Sequence, residues 1–399
     1  MPDAAGDANL GLCDRLKREF EARNPDIDLQ FKKTNSRDDL FSVDGKRCGL
    51  IGEWLTSPIR DDASGGVHVS EVDTIPLEKL VRSKVIRPWS AVPDSDDWHP
   101  AGREAGKIDG LRYAVPHWLC THTLISWLRD IAANRDAWEL VSLATEGSVR
   151  LTGKAGGRWN GPMLYLNAYC GVLGSHRAQD GLNINLNELV LRGFRELGHA
   201  CRDAGQTLGA AANAKVAHLF AKRQSDGFIG YTESLHPVLR LIGANEELLI
   251  TPLVFGNGQA PLVSVDGWVL RADCSGEVER AARDFVEFMN RPEIMRFIMM
   301  SLDAGSLSIP RYLLPATKSA YRDPIVSRDP YYRQFDRMIA NAVPYPIGFY
   351  EFAKSVHAEL EHQLQIEHPF ADPTMSHGKP PKSEESLGQR LQDRQRRKA

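Results

Sequence analysis

Segments with strand-like and helix-like apolar spacing alternate along most of the chain, and this alternation limits its fold more than any other feature. Strand-like patterns occupy residues 67–73, 227–231 and 261–270, and helical spacing is found at 12–23 and 277–290. This alternation predicts an α/β fold with largely parallel strand pairing. Because 399 residues exceed the usual size of one hydrophobic core, we expect two lobes.

Three further segments have a distinct character. Apolar and polar residues alternate over 26–32, which predicts a half-buried strand. Residues 33–66 are polar, irregular and rich in glycine, and we expect a long insertion or a mobile loop. The tail, 373–399, is basic and poor in apolar side chains, so we expect it to be disordered.

Composition excludes several classes of function. The formal net charge of −3 offers no bulk field that would attract nucleic acid. No apolar run reaches the roughly 18 to 20 residues that span a bilayer, so we expect no membrane segment. Residues 1–9 lack a basic region followed by an apolar one, so the sequence as written begins without a signal peptide. The six cysteines are scattered with no C-x-x-C pair, which argues against a zinc site or a dithiol redox centre.

Common catalytic motifs are missing from the sequence. It contains no G-x-x-x-x-G-K-[ST] loop, no G-x-G-x-x-G after a strand, no H-E-x-x-H and no G-x-S-x-G. Nucleotide hydrolysis, dinucleotide redox chemistry, zinc proteolysis and serine hydrolysis are therefore not leading functions. We expect neither a metal nor an organic cofactor.

One segment with an unusual composition surrounds Cys120. Residues 113–122 place a proline, aromatic rings and polar side chains around this thiol, between two strand-like runs. A reactive cysteine needs its thiolate stabilised by donors or positive charge, and His117 and His122 are available for this. By composition alone, however, a cysteine in an apolar strand is more often buried and inert.

A second segment places a carboxylate at the end of a buried run. Glu233 follows the apolar, glycine-containing residues 227–231 and lies close to Tyr231. Desolvation at such a position raises the pKa of a carboxyl group and suits it to general base catalysis. Taken alone, however, the segment favours a helix-capping or surface glutamate over a catalytic one.

The two segments together resemble thiaminase I (thiamine pyridinylase). Residues 115–121, VPHWLCT, resemble the P-x-x-L-C-T/G stretch around that family's nucleophilic cysteine, and residues 228–234, FIGYTES, resemble its F-I-G-Y-S-E-S segment with the catalytic glutamate. Three further segments are similar to the family in the same order: 163–166, 261–266 and 311–316. Residues 68–73 fall where the family has a strand that ends in an active-site aspartate. The resemblance extends from about residue 14 to 345.

This resemblance implies a periplasmic-binding-protein fold of type II, in which two α/β lobes close over a ligand cleft. Lobe 1 would comprise residues 1–118 and 264–308, and lobe 2 would comprise 119–263 and 309–372. Clefts between lobes are also the expected position of a ligand on physical grounds.

The resemblance also implies a covalent mechanism on thiamin or a similar pyrimidine. Cys120 would add to the pyrimidine and release the thiazole, and Glu233 would act as base for the thiol and for an incoming amine or thiol. The remaining implied substrate contacts are hydrogen bonds from Asp73 and Asp266 and packing by Tyr231 and Trp118. We expect a monomer that binds a small molecule and a nucleophilic co-substrate.

Two departures from the family leave alternatives open. Thiaminase I begins with a strand that carries a tyrosine-rich Y-P-Y segment, whereas this sequence begins at the equivalent of the first helix, so we expect a truncated chain or a substitute element. Residues 33–66 also differ from the family's counterpart. A non-catalytic solute-binding protein, or the same Cys/Glu chemistry on another heteroaromatic substrate, are therefore the competing hypotheses. Members of the thiaminase I family are commonly secreted or periplasmic, and the sequence leaves the location of this chain open.

Overall fold

The computed structural model describes residues 11–31, 68–90, 92, 95–132, 136–153, 155–157, 159–174, 177–201, 210–243, 246–256, 259–303 and 309–365. The predicted insertion at 33–66 and the predicted tail at 373–399 lie outside these residues. Within the described part of the chain, no helix has the length and apolar character needed to cross a membrane.

The chain forms two compact units, each built from segments that are distant in sequence. The first unit takes its residues from 1–121, 232–236 and 262–347, and the second from 122–231, 237–261 and 348–399. The structure differs here from the expected division, because 309–347 belong to the first unit and not to the second. Pairing of Leu314 with Leu119 attaches this segment to the first sheet. The Arg311 guanidinium also forms an ion pair of 2.7 Å with Asp303.

The strands are numbered along the chain. They are Val69–Asp73 (β1), Ile86–Arg87 (β2), Lys107–Ile108 (β3), Leu111–Arg112 (β4), Ala114–Cys120 (β5), His122–Ser126 (β6), Leu151–Gly153 (β7), Gly227–Tyr231 (β8), Leu249–Pro252 (β9), Leu262–Arg271 (β10), Leu314–Pro315 (β11) and Val343–Pro344 (β12).

The α-helices are numbered in the same way. They are Leu12–Arg23 (α1), Leu77–Arg82 (α2), Pro100–Ala105 (α3), Arg129–Ala132 (α4), Ala137–Thr145 (α5), Asn160–Leu173 (α6), Glu188–Ala200 (α7), Ala210–Ala221 (α8), Leu235–Ile242 (α9), Gly276–Met289 (α10), Pro292–Met299 (α11), Lys318–Arg322 (α12), Pro330–Ile339 (α13) and Phe349–Gln365 (α14).

The main sheet of the first unit is built around β10. Its strand order is β1-β10-β5-β11, and β2 and β12 pair with the two ends of β10. Every residue of β10 is buried except Asp266, which is half-buried. Valines at positions 263, 265 and 269 suit a strand that is covered on both faces. The antiparallel register places Asp73 opposite Asp266 on one side and Cys120 opposite Ser264 on the other.

Strand β5 contains a β-bulge at His117. Trp118 lies opposite Asp266, and Pro116 lies opposite Gly267, so His117 is an extra residue on this strand. Proline fits beside the irregularity because it has no N–H to donate to the ladder. A bulge bends its strand and redirects the neighbouring side chains. It lies three residues before Cys120.

The sheet of the second unit has the order β7-β8-β6-β9. Strand β6 is antiparallel to both β8 and β9, and β7 is parallel to β8. Pairing of His122 with Tyr231 closes one end of this sheet, immediately after β5 has ended. The strand predicted at 227–231 is thus confirmed as β8.

The prediction of largely parallel pairing is wrong. In both sheets most pairs are antiparallel, and only β10 with β12 and β7 with β8 are parallel among the described strands. The path of the chain explains the difference, because it leaves the first unit after Thr121 and, apart from the short segment 232–236, returns at Leu262 beside its point of exit. The Thr121 hydroxyl donates a 2.8 Å hydrogen bond to the Leu262 carbonyl. A chain that returns beside its exit must run antiparallel to the strand it left.

The strand predicted at 26–32 is also wrong for its described residues, 26–31, which form a turn and irregular structure. Side chains of α1 bind the backbone of this segment in place of a neighbouring strand. The Leu29 N–H donates to Glu21 Oε1 at 2.9 Å, and the Leu29 carbonyl accepts from Lys17 Nζ at 2.6 Å. Alternating polarity therefore marks an extended segment here but not a sheet strand.

The helix predicted at 12–23 is confirmed as α1, with the same bounds. Leu12, Leu16 and Phe20 recur at four-residue spacing and are fully buried. The ring of Phe20 contacts that of Phe288 on α10, with centroids 5.4 Å apart. Burial of each such side chain stabilises the fold by roughly 1.5 to 3 kcal/mol.

Candidate active site

Two of the candidate site residues, Cys120 and Asp266, are the accessible positions of strands that are otherwise buried. On β5, six residues from Ala114 to Leu119 are buried, and Cys120 at the end is half-buried. On β10, Asp266 is the half-buried residue, and Asp73 at the end of β1 is half-buried as well. Solvent reaches the polar side chains at such positions, and the buried strands that carry them fix where these side chains lie.

The structure brings Cys120 and Glu233 together. The sulfur of Cys120 lies 3.9 Å from each carboxylate oxygen of Glu233. Glu233 is carried by a 3-10 turn, Thr232–Ser234, that directly follows β8, and the Thr232 hydroxyl donates to Glu233 Oε2 at 3.4 Å. Both members of the pair belong to the first unit.

The surroundings of Cys120 favour the neutral thiol. Burial raises its pKa well above the ordinary value, and the negative charges of Glu233, Asp266 and Asp73 raise it further. At neutral pH the cysteine therefore carries its proton. A nucleophilic role requires a base that removes this proton as the sulfur attacks.

Glu233 has the properties of such a base. Burial raises the pKa of its carboxyl group, while its hydrogen bonds, including that from Thr232, oppose the rise. Raised carboxylate basicity reduces the difference in pKa between acid and thiol, which favours proton transfer between them. The sulfur and the two oxygens are 3.9 Å apart, the outer limit of a thiol hydrogen bond, and a direct transfer requires them to approach more closely when substrate binds.

The two expected thiolate partners, His117 and His122, are engaged elsewhere. His117 is fully buried, and its Nδ1 hydrogen-bonds Glu71 Oε1. Burial lowers the pKa of His122 to about 3, so that its ring is neutral, and the ring packs on Tyr231 with centroids 4.4 Å apart. Neither histidine supplies a positive charge to Cys120.

Asp73 and Asp266 form a pair of facing carboxyl groups. They lie opposite each other on β1 and β10, where paired Cβ atoms are about 4.5 to 5.5 Å apart. Burial raises the pKa of Asp73 to about 7, and that of Asp266 rises well above its ordinary value through burial and the nearby charges of Asp73 and Glu71. The Asp73 Oδ1 accepts a 2.8 Å hydrogen bond from the Ile75 N–H. Two such groups hold at least one proton at neutral pH, and the pair can both donate and accept hydrogen bonds.

The two aromatic site residues differ in accessibility. Trp118 lies opposite Asp266 on β5 but is only 5% exposed, and its ring contacts that of His117. This burial does not suit the predicted packing of Trp118 on a substrate ring. Tyr231 is half-buried in the second unit, and its hydroxyl donates to Asn160 Oδ1 at 2.5 Å. The role predicted for Tyr231 stays a prediction.

Sequence reasoning missed Glu71 and Ser264. Glu71 lies two residues before Asp73 on β1, and Ser264 lies two residues before Asp266 on β10. Side chains two apart on a strand share one face, so this spacing from the two aspartates was the available signal. The bulge at His117 could not be read from spacing, because it depends on the partner strand.

Comparison with known proteins places the chain in a family. The sequence profile of bacterial extracellular solute-binding proteins matches residues 59–334, which is most of the chain. The chain belongs to this family. A search of the curated proteins finds no match.

Solved structures resemble this solute-binding protein family member over nearly its whole length. Thiaminase I from Bacillus thiaminolyticus has a TM-score of 0.72 at 20% identity, covering 91% of this chain and 98% of that one. Thiaminase I from Clostridium botulinum, in complex with thiamin, has a TM-score of 0.70 at 16% identity, with 92% and 98% covered. The GacH receptor of Streptomyces glaucescens has a TM-score of 0.62 at 16% identity, with 99% and 96% covered.

These likenesses concern the fold. They confirm the predicted periplasmic-binding-protein architecture of two α/β lobes and the resemblance to thiaminase I structures. The fold is shared by enzymes and by sugar-binding receptors, so it does not decide between catalysis and transport. The predicted ligand cleft stays a prediction.

Proposed function

We propose that this protein is a thiaminase I-like transferase that cleaves thiamin at its methylene bridge and transfers the pyrimidine to an amine or thiol. The observation that carries the proposal is the contact of Cys120 Sγ with both Glu233 oxygens at 3.9 Å. A protein that only binds a solute has no need for a thiol and a basic carboxylate in contact. The thiaminase I structures with the same fold support the choice of thiamin.

In the first step, Glu233 takes the proton from Cys120 and the sulfur attacks the electron-poor pyrimidine. A bond forms between Sγ and the ring carbon beside a ring nitrogen, and the ring takes up the electron pair. The bond between the methylene carbon and the thiazolium nitrogen then breaks, and the thiazole leaves with that electron pair. Covalent catalysis of this kind divides one difficult substitution into two easier steps.

In the second step, an external amine or thiol attacks the methylene carbon. Before this attack, Glu233 passes the cysteine proton to the ring nitrogen that took up the electron pair, so that it can accept the proton of the incoming nucleophile. Electron flow back through the ring expels the cysteine, which takes the ring-nitrogen proton as the pyrimidine product is released, and Glu233 loses its proton to solvent. The same carboxyl group thus serves as base twice, which suits a pKa raised by burial.

The facing carboxyl groups of Asp73 and Asp266 are suited to hold the aminopyrimidine. An amino group beside a ring nitrogen presents one donor and one acceptor, and a carboxyl pair that shares a proton presents the complementary set. Both residues lie on the same sheet face as Cys120. Binding here would direct the electron-poor ring toward the sulfur.

The proposal is tested by incubation of the protein with thiamin and either pyridine or aniline. We expect release of the thiazole, and a mass increase on Cys120 equal to the pyrimidine fragment when the acceptor is omitted. Cys120→Ser should lower turnover by at least about 10³-fold, because the hydroxyl is a far weaker nucleophile at its ordinary pKa. Its thermal unfolding midpoint should remain near that of the wild type.

Cys13→Ser is the matched control, because Cys13 is also a half-buried cysteine but lies on α1. It should retain wild-type turnover. Absence of thiazole release by the wild-type protein with both acceptors would exclude thiamin as the substrate. A covalent adduct with another activated pyrimidine would then indicate the same chemistry on a different heteroaromatic compound.

A second candidate function is non-catalytic solute binding. The family match and the fold shared with the GacH receptor favour it. Calorimetric binding of thiamin without thiazole release, and with no adduct on Cys120, would support this function and exclude the transferase.

A further inference from the structure

Ser264 lies directly opposite Cys120 in the register of β10 and β5. Directly opposed residues of an antiparallel pair have Cβ atoms about 4.5 to 5.5 Å apart, on one face of the sheet. Ser264 is 8% exposed, so its hydroxyl is largely withdrawn from water. The register therefore places this hydroxyl beside the Cys120 thiol, and a hydrogen bond from it opposes the rise in the pKa of that thiol.

The charged groups that face the thiol come from three elements, one of which is the strand of Ser264 itself. Glu233 follows β8, Asp266 lies on β10 and Asp73 ends β1. All three are carboxyl groups, and each disfavours the thiolate, whereas the hydrogen bond from Ser264 favours it. A thiolate formed in this setting depends on neutral donors, because a hydrogen bond to an ionised group is about twice as strong as one between neutral groups.

We propose that Ser264 is a catalytic residue whose hydroxyl donates a hydrogen bond to Cys120 Sγ and stabilises the thiolate that forms when Glu233 takes the proton. In this step the S–H bond breaks, the proton moves to a Glu233 oxygen, and the negative charge moves to sulfur. The role rests on the proposed chemistry of Cys120 but not on the identity of the substrate.

The test measures alkylation of Cys120 by iodoacetamide, a neutral probe that reports thiolate formation without thiamin. Ser264→Val and Ser264→Thr form the decisive pair, since the two side chains have nearly the same shape and only threonine has a hydroxyl. Mass spectrometry of the peptide that contains Cys120 separates its reaction from that of the other cysteines. Ser70→Ala, a buried serine of the same sheet on β1, controls for loss of a hydroxyl elsewhere.

We expect Ser264→Val to slow alkylation by about 3- to 10-fold, because the lost hydrogen bond raises the pKa of the thiol while the remaining thiolate becomes a somewhat better nucleophile. Ser264→Thr and Ser70→Ala should react at close to the wild-type rate. Equal rates for the valine and threonine variants would overturn the proposal, even where both lose some stability.

The outcome is independent of the substrate assignment. Slower alkylation of Ser264→Val in a protein that does not cleave thiamin would support the role of Ser264 and reject thiamin as the substrate. If the wild-type protein cleaves thiamin but its Ser264→Val variant is alkylated at the normal rate, thiamin is supported as the substrate and the role of Ser264 is rejected.

Discussion

The face of the first unit that carries Cys120 and the end of β8 in the second unit bury polar side chains in different ways. In the first unit, burial raises the pKa values of Cys120, Glu233 and Asp266, and nearby negative charges raise those of Cys120 and Asp266 further. In the second unit, the hydroxyl of Tyr231 is bonded to Asn160, and the neighbouring His122 ring is held neutral by burial. In the first region, thiol and carboxyl groups keep their protons to higher pH because burial and neighbouring negative charges disfavour their ionised forms. The second region is electrically neutral.

Under the proposed function, this difference indicates which region would carry the chemistry. General acid–base catalysis requires groups that readily exchange protons with one another. Groups with such shifted pKa values are concentrated at active sites. A neutral ring pair with a bonded hydroxyl gives shape and rigidity and little reactivity. Substitutions in the first region should therefore change rates and pH dependence, and those in the second should change mainly stability.

The largest expected effect is that of Glu233→Gln. The amide keeps the shape of the side chain but cannot accept the thiol proton, so turnover of thiamin should fall by about 10²- to 10⁴-fold. Its effect on stability should be small or favourable, because it replaces a carboxyl group whose charged form is disfavoured by burial. Steady-state kinetics and thermal unfolding of the same preparation measure both quantities.

The double variant Cys120→Ser with Glu233→Gln sharpens this result. If the two residues act as one unit, the double variant should be no slower than Cys120→Ser alone. Additive losses would show that Glu233 acts on something other than the thiol, and the assigned role would be rejected.

The next largest expected effect is the contribution of Asp73 to the pH dependence of stability. Burial raises the pKa of Asp73 to about 7 from an ordinary value of 3.8, so the folded protein binds a proton that the unfolded chain releases at lower pH. Stability from this group is therefore fully present below about pH 4 and is lost as the pH rises through about 7. At about 1.4 kcal/mol per pKa unit, the loss is at most roughly 4 kcal/mol.

Asp73→Asn should remove this dependence, because the amide does not titrate. Urea unfolding of the wild type and the variant at pH 5 and pH 8 measures the change. Asp273→Asn provides the control, since that aspartate follows β10 and its side chain is 51% exposed. If the free energy of unfolding were the same at pH 5 and pH 8 for both the wild type and Asp73→Asn, the raised pKa of Asp73 would be contradicted.

The sequence predicted the elements of the first region better than their arrangement. Helix α1 follows from its apolar spacing alone, and β10 is close to the predicted strand, because local periodicity determines both. The contact of Cys120 with Glu233 was expected only from the resemblance to thiaminase I, since 113 residues separate the two and no spacing rule connects them.

The remaining features depend on the path of the chain. Antiparallel pairing of β5 with β10 follows from a return at Leu262 beside Thr121, which no local pattern records. The bulge at His117 and the opposition of Ser264 to Cys120 depend on register between distant strands. Alternation at 26–31 failed for a related reason, because side chains of α1 satisfy a backbone that the pattern assigned to a sheet.

The smallest expected effect lies in the second unit. Tyr231→Phe removes the hydroxyl that donates to Asn160 but keeps the ring that packs on His122. Loss of one hydrogen bond at a half-buried position should lower the free energy of unfolding by about 0.5 to 1.5 kcal/mol. Alkylation of Cys120 by iodoacetamide should be unchanged, because the hydroxyl belongs to the electrically neutral region. If Tyr231→Phe altered the alkylation rate as strongly as Ser264→Val, the separation between a reactive and a structural region would not hold, and Tyr231 would have to be counted with the groups that control the thiol.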